Sequence, residues 1–215
     1  MTGVQTCALP ISSDFRGSAA PTSLNGTSVK IGGVSAYVAF ISPTQINVQV
    51  PAGVANGPQF VTVTTAAGVS APATITVKDT NPALLAPASL KITGRQYVGA
   101  TFADGTFVAP AGSITGIPSR AAKPGETILV FGIGFGGPSQ QIGQISGSNS
   151  LVSGVSFTIG GVNATTNFSG LAPGLVGLYQ FNVVVPNVAA NAAAPLTFAV
   201  GGVSSSQALV TAVGN

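Results

Sequence analysis

The chain offers few side chains that could carry chemistry. Its 215 residues include seven Lys or Arg, four Asp or Glu, one Cys and no His, so charged residues make up only 5% of it. An ordinary soluble domain carries about 25%. Most general acid–base catalysis, Ser–His nucleophilic chemistry and His-based metal binding lack the residues they need. The net charge of +3 comes from scattered cations, whereas nucleic-acid binding needs clustered ones. We therefore expect no nucleic-acid partner.

One glycine-rich motif, Gly132-Ile-Gly-Phe-Gly-Gly137, fits the G-x-G-x-x-G pattern of a dinucleotide-binding loop. Such a loop must open a helix, and an acid about 20 residues later must bind the ribose hydroxyls. Here Pro138 follows, and residues 127–215 contain no Asp, Glu, Lys or Arg. The sequence therefore predicts a bulge or tight turn at a strand end, with no cofactor.

The acidic residues are weak candidates for catalysis or metal binding. Asp79-Thr-Asn and Asp104-Gly-Thr resemble halves of an aspartic-protease pair, but neither is Asp-Thr-Gly and turn chemistry explains both. Asp79 and Asn81, with Asp104 or Glu126, could supply part of a Ca²⁺ site, which needs six to eight oxygens; a capped connector is the favoured interpretation. No G-x-S-x-G motif occurs, and spacing leaves open a Ser–Lys pair using Lys30, Lys78, Lys91 or Lys123. We predict no catalytic, cofactor-binding or metal-binding residue.

Aromatic and basic residues could instead bind a ligand at the surface. Sugar recognition pairs an aromatic platform with convergent polar groups, and Trp is absent. Packing in the core or at a sheet edge is therefore the favoured interpretation of Tyr37, Tyr97, Tyr179, Phe102 and Phe107. The cations Arg95, Arg120 and Lys123 are too scattered along the chain for phosphate recognition and are interpreted as solvated surface.

The first eleven residues, Met-Thr-Gly-Val-Gln-Thr-Cys-Ala-Leu-Pro-Ile, resemble the in-frame translation of a short-read sequencing adapter. A secretory signal would need a basic segment and an apolar core of 7–15 residues, and this stretch has neither. On this interpretation Cys7 lies outside the natural protein, which would leave no thiol, disulfide or Cys-ligated metal. The natural N-terminus is then expected to be missing.

The rest of the chain shows the period of β-strands. In Gln45-Ile-Asn-Val-Gln-Val-Pro51 the apolar residues alternate with polar ones, as in a strand with one buried face. Gly, Pro, Asn and Ser clusters separate the other predicted strands, which are Val29–Ile31, Phe60–Thr64, Thr74–Val77, Thr127–Phe131, Ser156–Ile159, Phe181–Val185, Leu196–Val200 and Ala208–Val213. The Ala-rich segment Val188–Ala194 is predicted to be a loop. No apolar run approaches the ~20 residues of a membrane-spanning helix, and no membrane insertion is expected.

An internal repeat sets the predicted domain organisation. Ile31-Gly-Gly-Val34 recurs as Ile159-Gly-Gly-Val162, and Gln45–Pro51 recurs as Gln180-Phe-Asn-Val-Val-Val-Pro186. An insertion around Leu171–Gly177 explains the longer offset of the second pair. We predict a first module over residues 12–78, a Pro-rich linker over 79–92 and a second module over 93–215. Asp104-Gly105 is predicted to form a two-residue hairpin turn between Arg95–Phe102 and Thr106–Ala109.

The motifs resemble known families. Pro124-Gly-Glu-Thr-Ile-Leu-Val-Phe-Gly-Ile-Gly-Phe135 is similar to the opening strand of the Ig-like TIG/IPT fold. Residues 24–215 resemble an uncharacterised C-terminal module of secreted acidobacterial (Solibacter-type) proteins, through Gln45–Pro51, Pro124–Phe135, Ile159–Val162 and Gly177–Pro186. The resemblance implies an all-β chain of two tandem Ig-like β-sandwiches, exported at the end of a larger protein, with no attached activity. The first copy lacks an equivalent of Pro124–Phe135 and is expected to be incomplete.

Composition, repeat and resemblance together favour a non-catalytic extracellular module, which acts as a spacer, docking or anchoring domain of a larger secreted protein. Its expected partner is an upstream domain of the same protein or another surface protein. The alternative is a glycan-binding or adhesin-type module, which rests on fold analogy alone. For both copies we expect Asn47 and Asn182 to face outward or to cap neighbouring backbone, and the following side chains to point into the core: Ile46, Val48, Val50, Phe181, Val183 and Val185.

Overall fold

The computed structural model describes residues 12–136, 142–147, 152 and 154–215. The adapter interpretation of residues 1–11, and Cys7 with it, lies outside the described residues. The chain divides into two compact units. Of the described residues, the first comprises 12–79, 142–147 and 172–177, and the second comprises 80–136, 152, 154–171 and 178–215. Apart from two short 3-10 turns, Ser12–Asp14 and Ala88–Leu90, the regular structure of the described residues is all strand.

The first unit is a sandwich of two sheets. Its strands are β1 (Ser23–Leu24), β2 (Thr27–Ile31), β3 (Val34–Ser35), β4 (Tyr37–Ile41), β5 (Ile46–Gln49), β6 (Gly57–Thr65), β7 (Gly68–Val69) and β8 (Ala73–Val77). One sheet has the order β1–β2–β6–β7, with β3 on β2 and β8 on β6, and the other is the hairpin β4–β5. Val29 and Ile31 from the larger sheet and Val38 from the hairpin are buried. Ile46 and Val48 of β5 are partly buried against both groups.

The second unit has the larger core. Its strands are β9 (Ala83–Leu84), β10 (Lys91–Ile92), β11 (Arg95–Gln96), β12 (Ala100–Thr101), β13 (Phe107–Val108), β14 (Ser119–Arg120), β15 (Thr127–Ile133), β16 (Val155–Ile159), β17 (Val162–Ala164), β18 (Thr166–Leu171), β19 (Tyr179–Val184), β20 (Asn191–Val200), β21 (Val203–Ser204) and β22 (Leu209–Val213). The order β14–β13–β12–β15–β19–β18, with β9 on β15, forms one sheet. The order β17–β16–β20–β21, with β22 on β20, forms the other. Phe157 and Phe181 pack between the sheets with ring centroids 5.2 Å apart.

The hairpins β4–β5 and β18–β19 share one register. Phe40 pairs with Asn47, and Phe168 pairs with Asn182, each directly after an irregularity in the ladder. A second match lies on the outward face, where Gln45 Nε2 donates to Asn47 Oδ1 at 2.6 Å and Gln180 Nε2 donates to Asn182 Oδ1 at 2.8 Å. Positions that the sequence repeat aligns therefore occupy equivalent places in the two ladders.

The all-β Ig-like fold and the predicted strands are confirmed: each predicted run coincides with or overlaps a strand of the structure. Phe181, Val183 and Val185 are buried, as predicted. Val50 is not, since 38% of it is exposed. The prediction of a loop over Val188–Ala194 is wrong for its last four residues, because β20 begins at Asn191 and pairs with β22.

The predicted linker over 79–92 also differs from the structure. From Thr80 onward the segment belongs to the second unit. Ala83 and Leu84 pair with β15, and both Leu84 and Leu90 are buried in that unit's apolar clusters. Burying a Leu side chain stabilises a fold by about 1.5–3 kcal/mol, which an extended connector would forgo.

The turn at Asp104-Gly105 is not a two-residue hairpin turn. A type I′ turn needs positive φ at both central residues, and here only Gly105 has one, at +84°. The amide of Gly105 donates to the carbonyl of Phe102, and Asp104 Oδ1 accepts from the amide of Thr106 at 2.9 Å. The hairpin itself joins only Ala100–Thr101 to Phe107–Val108, while Arg95–Gln96 pairs with Lys91–Ile92.

Candidate functional site

The glycine-rich motif packs closely against other backbone at two of its positions. Gly132 is the next-to-last residue of β15, and a Cβ there would lie 2.9 Å from the carbonyl oxygen of Ala83. A Cβ on Gly134 would lie 2.2 Å from the carbonyl oxygen of Asn81. These glycines let residues 81–84 cross the end of the strand at close range. The prediction of a strand-end turn is confirmed for residues 132–136.

Asp79 and Asp104 each make a local hydrogen bond. Asp79, in the first unit, accepts a hydrogen bond from Asn56 Nδ2 at 2.8 Å, and Asp104 caps its own turn in the second unit. The backbone hydrogen bond from Thr106 holds the pKa of Asp104 below its usual range. No group of three or more His, Cys, Asp or Glu that could hold a metal ion occurs among the described residues. The Ca²⁺ interpretation therefore gains no support from the structure.

Arg120 and Glu126 form an ion pair at the surface, where 42% of the Arg120 side chain is exposed. The guanidinium donates to both carboxylate oxygens of Glu126, at 2.8 and 3.0 Å, and lies 3.5 Å from the centroid of the Phe102 ring. The amide of Lys123 also donates to Glu126. The hydrogen bond from Arg120 lowers the pKa of Glu126, and the same bond raises the pKa of Arg120. Both charged side chains therefore make structural contacts that link the two ends of the loop between residues 120 and 126.

Two of the three tyrosines, Tyr97 and Tyr179, pack inside the second unit. Tyr97 is buried, and its hydroxyl donates to the carbonyl of Ala192 at 2.7 Å. Tyr179 is partly buried beside Phe135, with its hydroxyl bonded to the carbonyl of Gly136. Burial raises the pKa of Tyr97 and of Tyr179. The prediction that these side chains pack inside the fold fits the structure, and they provide no platform for a sugar.

A groove of about 580 Å³ in the second unit is lined by Thr93, Arg95, Tyr97, Ser113 and Asn191 among others. Two of its polar groups make local hydrogen bonds. Ser113 donates to the carbonyl of Pro110 at 2.6 Å, and Asn191 Oδ1 accepts from the amide of Ala193 at 2.9 Å. Thr93, Arg95 and Asn191 are exposed along the groove. Ser113 and the amide oxygen of Asn191 are thus already used, and a small-molecule site depends on such groups to orient its ligand.

The feature best suited to binding is an open sheet edge. Among the residues that the structure describes, β5 pairs with β4 alone. The carbonyl of Gln45 accepts from the amide of Ser42 at 2.7 Å, so Gln45 faces β4. Backbone groups of alternate residues point to opposite sides of a strand, and the amides and carbonyls of Ile46, Val48 and Val50 therefore face away from β4. We call these three residues the β5 edge.

Gln49, the last residue of β5, already makes a hydrogen bond within the first unit. Gln49 Oε1 accepts from the amide of Gly143 at 2.7 Å, within the first unit. The β5 edge itself carries no charged side chain, and the outward-facing Asn47 beside it is exposed. An uncharged strand edge with free backbone groups is a template for pairing with another chain. The sequence signal that could have located this edge is the absence, in the first copy, of a match to Pro124–Phe135.

Residues 13–77 match the family model of the IPT/TIG domain. This match spans all eight strands of the first unit, whereas the sequence motif that resembles TIG/IPT, Pro124–Phe135, lies in the second unit. No curated protein and no solved structure matches the chain. The match supports the Ig-like architecture of the first unit and its description as a non-enzymatic type of module. The resemblance to the acidobacterial C-terminal module stays a prediction.

Proposed function

We propose that this chain is a non-catalytic docking module, two copies of one Ig-like unit that position a partner protein outside the cell. The observation that carries the proposal is the β5 edge, which has no partner strand among the residues that the structure describes, while the equivalent strand β19 is paired on both sides. An unpaired edge in a sandwich gives affinity through main-chain hydrogen bonds. The same proposal includes that the chain acts as a spacer or anchor in a larger secreted protein.

The distribution of charge supports docking over catalysis. In the second unit, the ion pair of Arg120 with Glu126 and the turn bond of Asp104 occupy three of the charged side chains in structural contacts. Residues 127–215 carry no charge at all. Acid–base chemistry requires a titratable group within reach of substrate, and residues 127–215 offer mainly hydroxyl, amide and apolar side chains instead.

A two-part experiment tests the proposal. The full chain is first applied to a glycan array, where we expect no reproducible binding because Tyr97 and Tyr179 pack inside the second unit. A photo-crosslinking residue is then placed at Asn47 in the organism that encodes the chain, with Thr74 on β8 as the matched exposed control. We expect a protein adduct at position 47 only, and expect protease added to intact cells to remove it. Glycan binding that Tyr97→Ala abolishes would replace docking with the glycan-binding alternative.

A further inference from the structure

The second unit shows what covers an edge of this kind. There β19 lies between β18 and β15, and Thr127–Gly132 of β15 pairs with Tyr179–Val184 in an antiparallel ladder. The amide of Val185 donates to the carbonyl of Glu126, while the amide of Val184 donates to the carbonyl of Thr165. The odd-numbered residues of β19 thus face β15. They are the equivalents of Ile46, Val48 and Val50.

Burial follows the presence of that neighbouring strand. Val183 and Val185, with β15 beside them, are 0% and 1% exposed. Their equivalents in the first unit are Val48, which is partly buried, and Val50, which is 38% exposed. Ile128 and Val130 of β15 are themselves fully buried. The described part of the first unit has no strand in the corresponding place, so the inner face of β5 is left partly uncovered.

We infer that the β5 edge binds one extended, uncharged segment of a partner protein, antiparallel to β5, with alternating apolar side chains like those of Thr127–Ile133. This inference rests on the proposed docking function and names the chemistry of the partner. The matched register places two apolar side chains of the added strand opposite Val48 and Ile46, as Ile128 and Val130 lie opposite Val183 and Phe181. Main-chain hydrogen bonds supply affinity in this mode, and alternate side chains supply specificity.

The outward face fixes the register. In the second unit Leu129 lies opposite Asn182 on β19. Because the amide of Asn182 faces β18, this is a non-hydrogen-bonded pair, in which Cα atoms lie about 4.5 Å apart. Asn47 occupies the equivalent place on β5 and is exposed. A Cα separation of 4.4–6.8 Å suits a disulfide, so a cysteine at position 47 can report the register of a bound strand.

The test is a register-specific disulfide on the full chain. The protein carries Cys7→Ser and Asn47→Cys, and the probe is a peptide of residues 124–134 (PGETILVFGIG) with Glu126→Gln, which removes its charge, and Leu129→Cys, mixed in glutathione redox buffer. The control protein carries Cys7→Ser and Thr74→Cys, on the exposed strand β8. A second control peptide carries Ile128→Cys, which moves the thiol to the inner face. Circular dichroism before mixing confirms that both protein variants are folded.

We expect the Leu129→Cys peptide to cross-link to position 47. A bound thiol has an effective concentration of about millimolar against micromolar in solution, so the yield should exceed both controls at least about tenfold. Equal yield at position 74, or no adduct, would overturn the inference, as would a disulfide dimer of the Asn47→Cys protein that excludes the peptide. These results leave the glycan-array and cell-surface tests unaffected, so failure of the strand inference is distinguishable from failure of the docking proposal.

Discussion

The burial of three valines shows how far the inner face of β5 is covered by other residues. Val38 and Val48 pair directly across the hairpin of the first unit, and Val183 is the repeat equivalent of Val48 in the second unit. Val38 and Val183 are both 0% exposed, whereas Val48 is only partly buried. The same substitution, Val→Ala, should therefore have unequal effects on the free energy of unfolding at the three sites.

The magnitudes follow from burial. Val→Ala removes two methyl groups, each worth about 0.8 kcal/mol when fully buried, and a closed cavity adds to the loss. Val183→Ala and Val38→Ala should each destabilise their unit by about 2–3 kcal/mol on these terms. Val48→Ala leaves an opening to solvent instead of a closed cavity, and its methyl groups are incompletely buried. Its cost should be about 1 kcal/mol.

Hydrogen exchange followed by mass spectrometry across a urea series measures this, because peptides from each unit report that unit's own unfolding. Val38→Ala is the internal control, since it probes the same hairpin as Val48→Ala. If Val48→Ala destabilises the first unit as much as Val38→Ala does, the inner face of β5 is covered after all. That result would refute the argument for an uncovered edge.

The remaining predictions concern the second unit and the N-terminus. Gly134→Ala should destabilise by more than about 2 kcal/mol, because a Cβ there would meet backbone at 2.2 Å, whereas Gly105→Ala, with positive φ but open space, should cost only about 1 kcal/mol by urea denaturation. The pKa of Glu126 is lowered by Arg120, so the stability this pair contributes is present above about pH 4.5 and lost as pH falls through the depressed value. Glu126→Gln should remove that component of a pH-dependent melting series, and an unchanged pH profile would contradict the assignment. If residues 1–11 derive from an adapter, deleting them should change the unfolding free energy by no more than a few tenths of a kcal/mol, as measured by thermal melting.

Local pattern predicted the strands well. The alternation in Gln45–Pro51 and Gln180–Pro186 placed β5 and β19 correctly, because successive side chains of a strand point to opposite faces whatever surrounds them. The same rule placed Phe181 and Val183 in the core. Segments whose structure depends on distant partners were predicted less well. Residues 80–92 look like a connector, and they are ordered by burial of Leu84 and Leu90 against strands far along the chain.

The sequence also does not predict which side chains pair across a loop. Arg120 and Glu126 are six residues apart with no helical spacing between them, and only the fold of the intervening loop brings the guanidinium onto the carboxylate and the Phe102 ring. The sequence also does not indicate that Phe60, on β6, is 65% exposed. Alternation gives the side of the sheet on which a residue lies, and exposure depends on what packs there.

Val50 and Val185 show what the sequence by itself determines and what only the tertiary structure decides. Each ends the same alternating pattern and precedes a proline, so the sequence by itself determined that both belong to the same position of an Ig-like strand. Tertiary structure decided that Val185 is 1% exposed and Val50 is 38% exposed. The physical reason is that side-chain direction is set by local backbone geometry, whereas burial requires a neighbouring strand. In the second unit, residues 127–133 provide that strand from more than 40 positions away in the chain.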